Sequence, residues 1–149
     1  MTDKSNRAEL GRLIRAAQQA VQKSMDDVLA VLESAAPDGE RLGELLLTFR
    51  DHAAAQYRLE EQGGLVDKKE LTGPGTVRVT EAMVERHRAI ERRGEGLARL
   101  AERGDLSQSS VLESLKGEVQ LLFSDYGRQE TAEITLHQDL ALRDTGGEE

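Results

Sequence analysis

The sequence predicts an all-α protein, an antiparallel up-down-up-down four-helix bundle. Ala, Leu, Glu, Arg and Gln dominate the 149 residues and favour helices, whereas aromatic residues make up only 3% and would build a poor sheet core. Pro and Gly cluster in the segments "SAAPDGERL", "EQGGLVDKKELTGPGTV", "ERGDLSQSS" and "DTGGEE", which leaves four long helical stretches. Because short connections favour antiparallel neighbours and the length suits one core, we expect a single domain over residues 1–149.

The four helices follow from where these interruptions fall. The first helix should end before Pro37, and Asp38 should cap the start of the second. The long connection 63–76 would pass over one end of the bundle, and the fourth helix should end before a flexible C-terminal tail, 144–149. The predicted helices are about 5–35, 38–62, 77–103 and 107–143, with the last beginning near Ser107 or Ser109.

Each predicted helix carries polar side chains on its core-facing stripe, which recurs at alternating spacings of three and four residues. These residues are Gln18 on the first helix, Gln56 and Glu60 on the second, His87 on the third, and Gln129 and Glu133 on the fourth. Burying such groups without partners would cost about 1–3 kcal/mol each, and more for a charge. We therefore expect them to meet one another or a ligand in one layer.

Three motifs resemble the hemerythrin-like (HHE cation-binding) four-helix bundle family. In one bacterial branch the second helix ends in a His-Phe-x-x-Glu-Glu-x-Gly-Gly run, and this chain has "QYRLEEQGG" there. That branch has a proline thirteen residues before a third-helix histidine, as Pro74 stands before His87. Its fourth helix contains His-x-x-x-Glu and an Asp-Ile-Gly-Gly ending, similar to "QETAEITLHQDLALRDTGG". The resemblance covers about residues 48–149 and implies the bundle fold, a bacterial source and a di-iron or other cation site.

The resemblance also implies a metal-ligand set that this chain retains only in part. Family members use histidines at the positions of Gln56 and Gln129, and imidazole is a far better iron donor than an amide oxygen. Glu60, His87 and Glu133 keep family ligand types and would be direct ligands. Gln18, Gln56 and Gln129 would be weaker ligands or partners of ligands. The implied cofactor is iron or another divalent cation, or none if the substitutions have removed the site.

Two functions therefore stay open. The first is a hemerythrin-like metal-binding or sensing bundle. The second is a metal-free structural or protein-interaction bundle, in which Gln56 and Gln129 donate to Glu60 and Glu133 while His87 completes a buried network. We predict no catalytic and no organic-cofactor residue, and hence no enzyme, a prediction that a bound metal would reopen.

The remaining histidines allow one alternative metal site. His52, Glu91 and His137 stand four residues from members of the first set, so they could form a constellation of their own. They are out of phase with the core, where Ala53 and Ile90 hold the neighbouring positions, and we expect them at helix interfaces or in solvent.

Charge and motif content exclude several other functions. The net charge of −8 opposes binding to nucleic acid or anionic membranes, and the basic residues are interleaved with acids. The chain has no Cys, no P-loop, no apolar run of membrane-spanning length and no apolar N-terminal stretch, which favours a cytoplasmic location. A protein partner or self-association stays undetermined.

Overall fold

The regular secondary structure in the described part of the chain is entirely α-helical. A computed structural model describes the backbone of residues 3–62 and 74–147, and the side chains of residues 8–62 and 81–133. Within these ranges there are four helices and no strand: α1 (Asp3–Leu32), α2 (Gly39–Gln62), α3 (Pro74–Arg103) and α4 (Ser109–Gly147). Helix α2 packs against α1 and α3, and α3 packs against α4. The prediction of an all-α chain with four helices is confirmed.

The start of α2 is fixed as the sequence predicted. The Asp38 Oδ1 atom accepts hydrogen bonds from the backbone N–H groups of Glu40 at 3.0 Å and Arg41 at 3.4 Å. Asp38 is thus the N-cap that satisfies two otherwise unpaired donors. Gly39 follows it, and a Cβ atom at this glycine would lie 2.3 Å from the carbonyl oxygen of Ala101. The close approach of α2 to the end of α3 therefore requires glycine.

Three helix ends differ from the predicted ones. Helix α1 stops at Leu32 rather than near residue 35, because Ser34 turns back to the Val31 carbonyl through both its N–H and its hydroxyl. Helix α3 begins at Pro74 rather than near residue 77, since proline lacks only an N–H that the first turn leaves unpaired. Helix α4 continues to Gly147, into the segment predicted as a tail, because glycine costs a helix only about 1 kcal/mol. Most of the predicted connection, residues 63–73, and residues 148–149 lie outside the described residues.

One apolar core joins the four helices, and it follows the predicted stripes. Phe49 on α2 is fully buried, with its ring centroid 5.0 Å from that of Phe123 and 6.0 Å from that of Tyr126 on α4. Gly94 on α3 packs against this ring, and a Cβ atom there would lie at an ordinary van der Waals distance of 3.4 Å from it. The buried residues of this core include Val21, Met25, Val28, Leu32, Leu42, Leu46, Phe49, Ala53, Ile90, Leu97, Ala101, Leu115, Val119, Leu122 and Tyr126.

The outer faces of the helices are mainly charged. Pairs such as Lys23 and Asp27, 2.8 Å apart at a spacing of four residues, line the surface. Leu13, Leu100 and Leu121 are the exposed large apolar side chains among the described residues. No helix in the described ranges combines the length and the apolar character that crossing a membrane requires.

Candidate metal centre

Three helices bring Glu60, His87 and Glu133 together inside the bundle. Glu60 lies near the end of α2, His87 in the first half of α3 and Glu133 on α4, and each holds a core position of its helix. One potential ligand atom of each residue lies within 4.8 Å of those of the other two. The three residues are 2%, 0% and 5% exposed, respectively. Among the described residues this is the one group of three or more His and acidic side chains with metal-binding spacing.

The His87 ring is held on three sides. Its Nε2 atom lies 2.5 Å from Glu133 Oε1 and 3.9 Å from Glu60 Oε2. Its Nδ1 atom lies 2.8 Å from Glu61 Oε2. The Tyr57 ring stacks on the imidazole, with centroids 3.8 Å apart and planes inclined by 3°. The edge of the ring that carries Nε2 is thereby aimed at the two buried carboxylates.

A half-buried ionic network supports Glu61 from the outside. Glu61 forms a short ion pair with Arg88, whose other guanidinium nitrogen lies 2.7 Å from Glu91. Arg58 pairs with Glu91 at 3.3 Å, and links α2 to α3 a second time. Because Arg88 compensates the charge of Glu61, this carboxylate can stay ionised beside His87.

A chain of hydrogen bonds orients Glu60. The Gln56 Nε2 atom donates to Glu60 Oε1 at 2.9 Å, and the Tyr126 hydroxyl donates to Gln56 Oε1 at 2.5 Å. Gln56 is fully buried, so both ends of its amide are satisfied inside the fold. One of the two amide–carboxylate bonds expected from the sequence is therefore present, and it leaves Glu60 Oε2 facing His87.

The other two predicted glutamines, Gln18 and Gln129, do not form hydrogen bonds with Glu60, His87 or Glu133 among the described residues. Gln18 on α1 is half-buried and donates from Nε2 to Glu130 Oε2 at 3.0 Å, rather than to Glu60 or Glu133. Gln129 is also half-buried, and its Oε1 atom is shielded from solvent without a hydrogen-bond partner among the described residues. Of the six predicted site residues, the structure thus joins three at ligand distance and bonds Gln56 to one of them, whereas Gln18 bonds to Glu130.

The carboxylates repel one another in this buried setting. Burial, followed by the negative charge of Glu130, raises the pKa of Glu60 to about 9, and the hydrogen bond from Gln56 offsets only part of that rise. Burial and the charge of Glu133 likewise raise the pKa of Glu130. A cluster of this kind takes up either protons or a cation.

His87 and Glu61 form a charge pair at the edge of the cluster. Burial alone would lower the pKa of His87, but its contacts with Glu133 and Glu61 outweigh that effect and raise it. Burial works to raise the pKa of Glu61, whereas His87 and Arg88 lower it on balance. When the imidazole is protonated, it donates from Nδ1 to Glu61 and from Nε2 to Glu133.

Five buried oxygen atoms around the cluster have no hydrogen-bond partner within the described part of the chain. They are Tyr57 Oη, Glu60 Oε2, Gln129 Oε1, Glu130 Oε1 and Glu133 Oε2. Four of them can only accept when the carboxyl groups are ionised, and buried acceptors left unpaired cost about 1–3 kcal/mol each. A cation would bind such acceptors directly, so the residues present fit a metal ion with carboxylate and imidazole ligands.

Several side chains of the site were not predicted. Tyr57 stacks on His87, Glu61 binds its Nδ1 atom, and Glu130 adds a third carboxylate. All three sit one residue to the side of a predicted position, at Gln56, Glu60 and Gln129. The motif "QYRLEEQGG" contained the signal for two of them, since helical neighbours beside a core position often line the same interface.

The alternative constellation is not assembled within the described side chains. Glu91 is engaged by Arg58 and Arg88, and His52 is partly exposed on α2. The side chain of His137 lies outside the described residues. Glu60, His87 and Glu133 therefore remain the candidate centre.

Comparison with known proteins returned no match to this chain, whether with a family model, a curated protein or a solved structure.

Proposed function

We propose that this chain is a hemerythrin-like cation-binding bundle of antiparallel up-down-up-down topology, which holds a divalent cation between Glu60, His87 and Glu133. The observation that carries the proposal is the pair of unpartnered carboxylate oxygens, Glu60 Oε2 and Glu133 Oε2, in the described core. Both belong to residues that are at least nine-tenths buried, and both side chains lie against His87 Nε2. Acceptors and a ring nitrogen converge there on a position suited to a cation.

The surrounding residues prepare each ligand for this role. When Glu61 accepts the proton of Nδ1–H, the lone pair of His87 Nε2 is free to bind a metal. Gln56 occupies one oxygen of Glu60 and leaves the other available. The stacked Tyr57 ring stops the imidazole from rotating. Three ligands on three helices fix the position of the ion, and water can complete its coordination.

The donor set limits what the ion would do. A bound divalent cation would supply Lewis acidity, and redox chemistry if it is iron or manganese. Reversible oxygen carriage in the family the sequence resembles depends on about five imidazoles, whereas this chain has glutamine at two of those positions, Gln56 and Gln129. We therefore infer cation binding or sensing rather than oxygen transport.

A second candidate function is a metal-free structural or interaction bundle with a buried polar layer. The bonds from Tyr126 to Gln56 and from Gln56 to Glu60 favour it, because they satisfy polar atoms without an ion. The contact between His87 and Glu133 does the same. In this function the layer would fix the register of the helices at some cost in stability.

Metal analysis of the full chain distinguishes the two functions. The protein would be produced in medium containing iron, manganese and zinc, and bound metal would be counted per chain by elemental mass spectrometry. The test variant is Glu60→Gln with Glu133→Gln, which keeps shape and removes two ligand charges. The matched control is Glu113→Gln, since Glu113 lies on α4 with a side chain 72% exposed.

The cation function predicts about one ion per chain in the wild type and the control, and a loss of bound metal in the double variant. Circular dichroism would establish that the double variant keeps its helices. Wild-type protein with traces of metal, whose melting temperature does not respond to a chelator, would refute the cation function and support the polar layer.

A further inference from the structure

Glu130 on α4 is a half-buried carboxylate that was not among the predicted site residues and is not part of the three-residue group. Its Oε2 atom accepts the hydrogen bond from Gln18, while its Oε1 atom is shielded from solvent and unpartnered among the described residues. On α4 it precedes Glu133 by three residues, so the two carboxylates share one face of the helix. Its charge is the strongest electrostatic influence on Glu60 after burial itself. Glu130 therefore belongs to the same buried cluster.

Oxygen atoms dominate the donors in this cluster. Glu60, Glu130 and Glu133 contribute carboxylates, and Gln129 contributes an unpartnered amide oxygen. The imidazole of His87 is the one nitrogen ligand that the described residues place there. Carboxylate and carbonyl oxygens suit hard cations such as Mg²⁺, Ca²⁺ and Mn²⁺, whereas imidazole suits zinc, copper, nickel and iron.

The charges in the cluster also favour a cation that tolerates several carboxylates. Arg88 already compensates Glu61 outside the layer, so it does not neutralise the inner acids. Three ionised carboxylates around a neutral His87 would carry three negative charges, and one divalent ion would balance two of them. Gln18 stabilises the third by donating to Glu130.

We propose that Glu130 is a further ligand of the cation at this site, and that the resulting oxygen-rich donor set selects a hard divalent cation, with Mn²⁺ as its representative. This inference rests on the proposed cation-binding function. Manganese(II) fits because it prefers oxygen donors yet accepts one imidazole. Gln18 acts as a positioning residue, since its hydrogen bond occupies Oε2 of Glu130 and leaves the shielded Oε1 without a partner among the described residues.

The test compares the affinities of the full chain for Mn²⁺ and Zn²⁺, measured by competition with a chelator. The variants are Glu130→Gln, which removes the ligand charge, and Gln18→Ala, which removes the positioning amide and keeps Glu130. Glu113→Gln again serves as the control, because it makes the same chemical change at an exposed site of α4. Melting curves of the metal-free proteins report whether each variant folds.

We expect Glu130→Gln to weaken Mn²⁺ binding about tenfold or more, and Zn²⁺ binding clearly less, so that the ratio of the two affinities shifts toward zinc. Gln18→Ala should shift the ratio in the same direction by a smaller factor, and Glu113→Gln should leave it unchanged. The ratio of the two affinities matters because the mere loss of a nearby charge would weaken the binding of Mn²⁺ and Zn²⁺ equally.

Two results would overturn the inference alone. The first is a wild type that binds one ion per chain while Glu130→Gln retains its affinity for Mn²⁺. The second is an equal loss of affinity for Mn²⁺ and Zn²⁺ in Glu130→Gln. A wild type that binds neither metal would instead refute the proposed function, and this inference would fall with it.

Discussion

Two regions of the bundle are buried to the same extent but satisfied in different ways. Around Phe49, apolar side chains fill the interior and contact one another directly. Around His87, the interior holds carboxylates, and Glu60 Oε2 and Glu133 Oε2 have no hydrogen-bond partner among the described residues. The apolar region is therefore complete within the fold, whereas the polar region requires protons or a cation from outside. Burial alone does not distinguish the two regions, whereas unmet hydrogen-bonding capacity does.

The largest expected effect comes from breaking the apolar region. Phe49→Ala removes a fully buried ring and its contacts with Phe123 and Tyr126. We expect it to lower the free energy of unfolding by about 3–5 kcal/mol, as measured by denaturant titration in the presence of a chelator. A loss below about 1 kcal/mol would mean that the region is not packed as described.

The second prediction concerns the pH dependence of the stability that the polar region around His87 contributes. The pKa of Glu60 is raised from 4.5 to about 9 by burial and neighbouring charges, so protonation favours the folded state. Its contribution is complete below pH 4.5 and is lost as the pH rises toward 9. The pKa of His87 is also raised, which adds to the loss above its ordinary value of 6.5. The metal-free protein should therefore become less stable between about pH 5 and pH 9.

Glu60→Gln tests that assignment because it removes the Glu60 share and leaves that of His87. We expect its denaturation midpoint, measured with chelator present, to fall less steeply over the same pH range. The difference from wild type should reach about 1–2 kcal/mol at the alkaline end. Parallel pH profiles for the two proteins would contradict the placement of Glu60. The lowered pKa of Glu61 acts in the opposite direction, and matters only as the pH falls below 4.5.

The third prediction targets the boundary between the regions. Tyr126→Phe keeps the ring that packs on Phe49 and deletes the hydroxyl that donates to Gln56. We expect a loss of about 1 kcal/mol in the free energy of unfolding, the usual value of one buried hydrogen bond. No change in stability would indicate that the Gln56 amide finds another donor.

The smallest effect is expected on the outer surface. Arg99→Ala removes an exposed pair with Glu95 at a spacing of four residues on α3. Such pairs contribute about 0.3–0.5 kcal/mol, so the midpoint should barely move and metal content should not change. An effect as large as that of Tyr126→Phe would contradict the small contribution assigned to this surface pair.

The sequence predicted the four helices well because helix signals are local. Clusters of Pro and Gly predicted the connections, Asp38 predicted the start of α2, and the spacing of apolar residues predicted which face of each helix is buried. The helix ends were less predictable, since α1 stops at the Ser34 turn and α4 runs through Gly146, choices that cost about 1 kcal/mol or less.

The site was predicted only as a layer. Periodicity put Gln56, Glu60, His87 and Glu133 on core stripes, and the structure has all four buried. Periodicity could not show which of these residues lie within ligand distance of one another, because that distance depends on the relative rotation of the helices. The same rotation turns Glu61 onto His87 and Glu130 toward Gln18, contacts that no spacing along the chain encodes.

The most direct test of the account is whether an added divalent cation stabilises the chain through Glu60 and Glu133. The melting temperature would be measured at pH 7.5 with chelator and with increasing Mn²⁺, in the wild type and in the Glu60→Gln, Glu133→Gln double variant. We predict a rise of several degrees in the wild type once Mn²⁺ exceeds its dissociation constant about a hundredfold, and none in the double variant. A wild-type melting temperature that is unchanged by Mn²⁺, Fe²⁺ and Zn²⁺ alike would contradict the account.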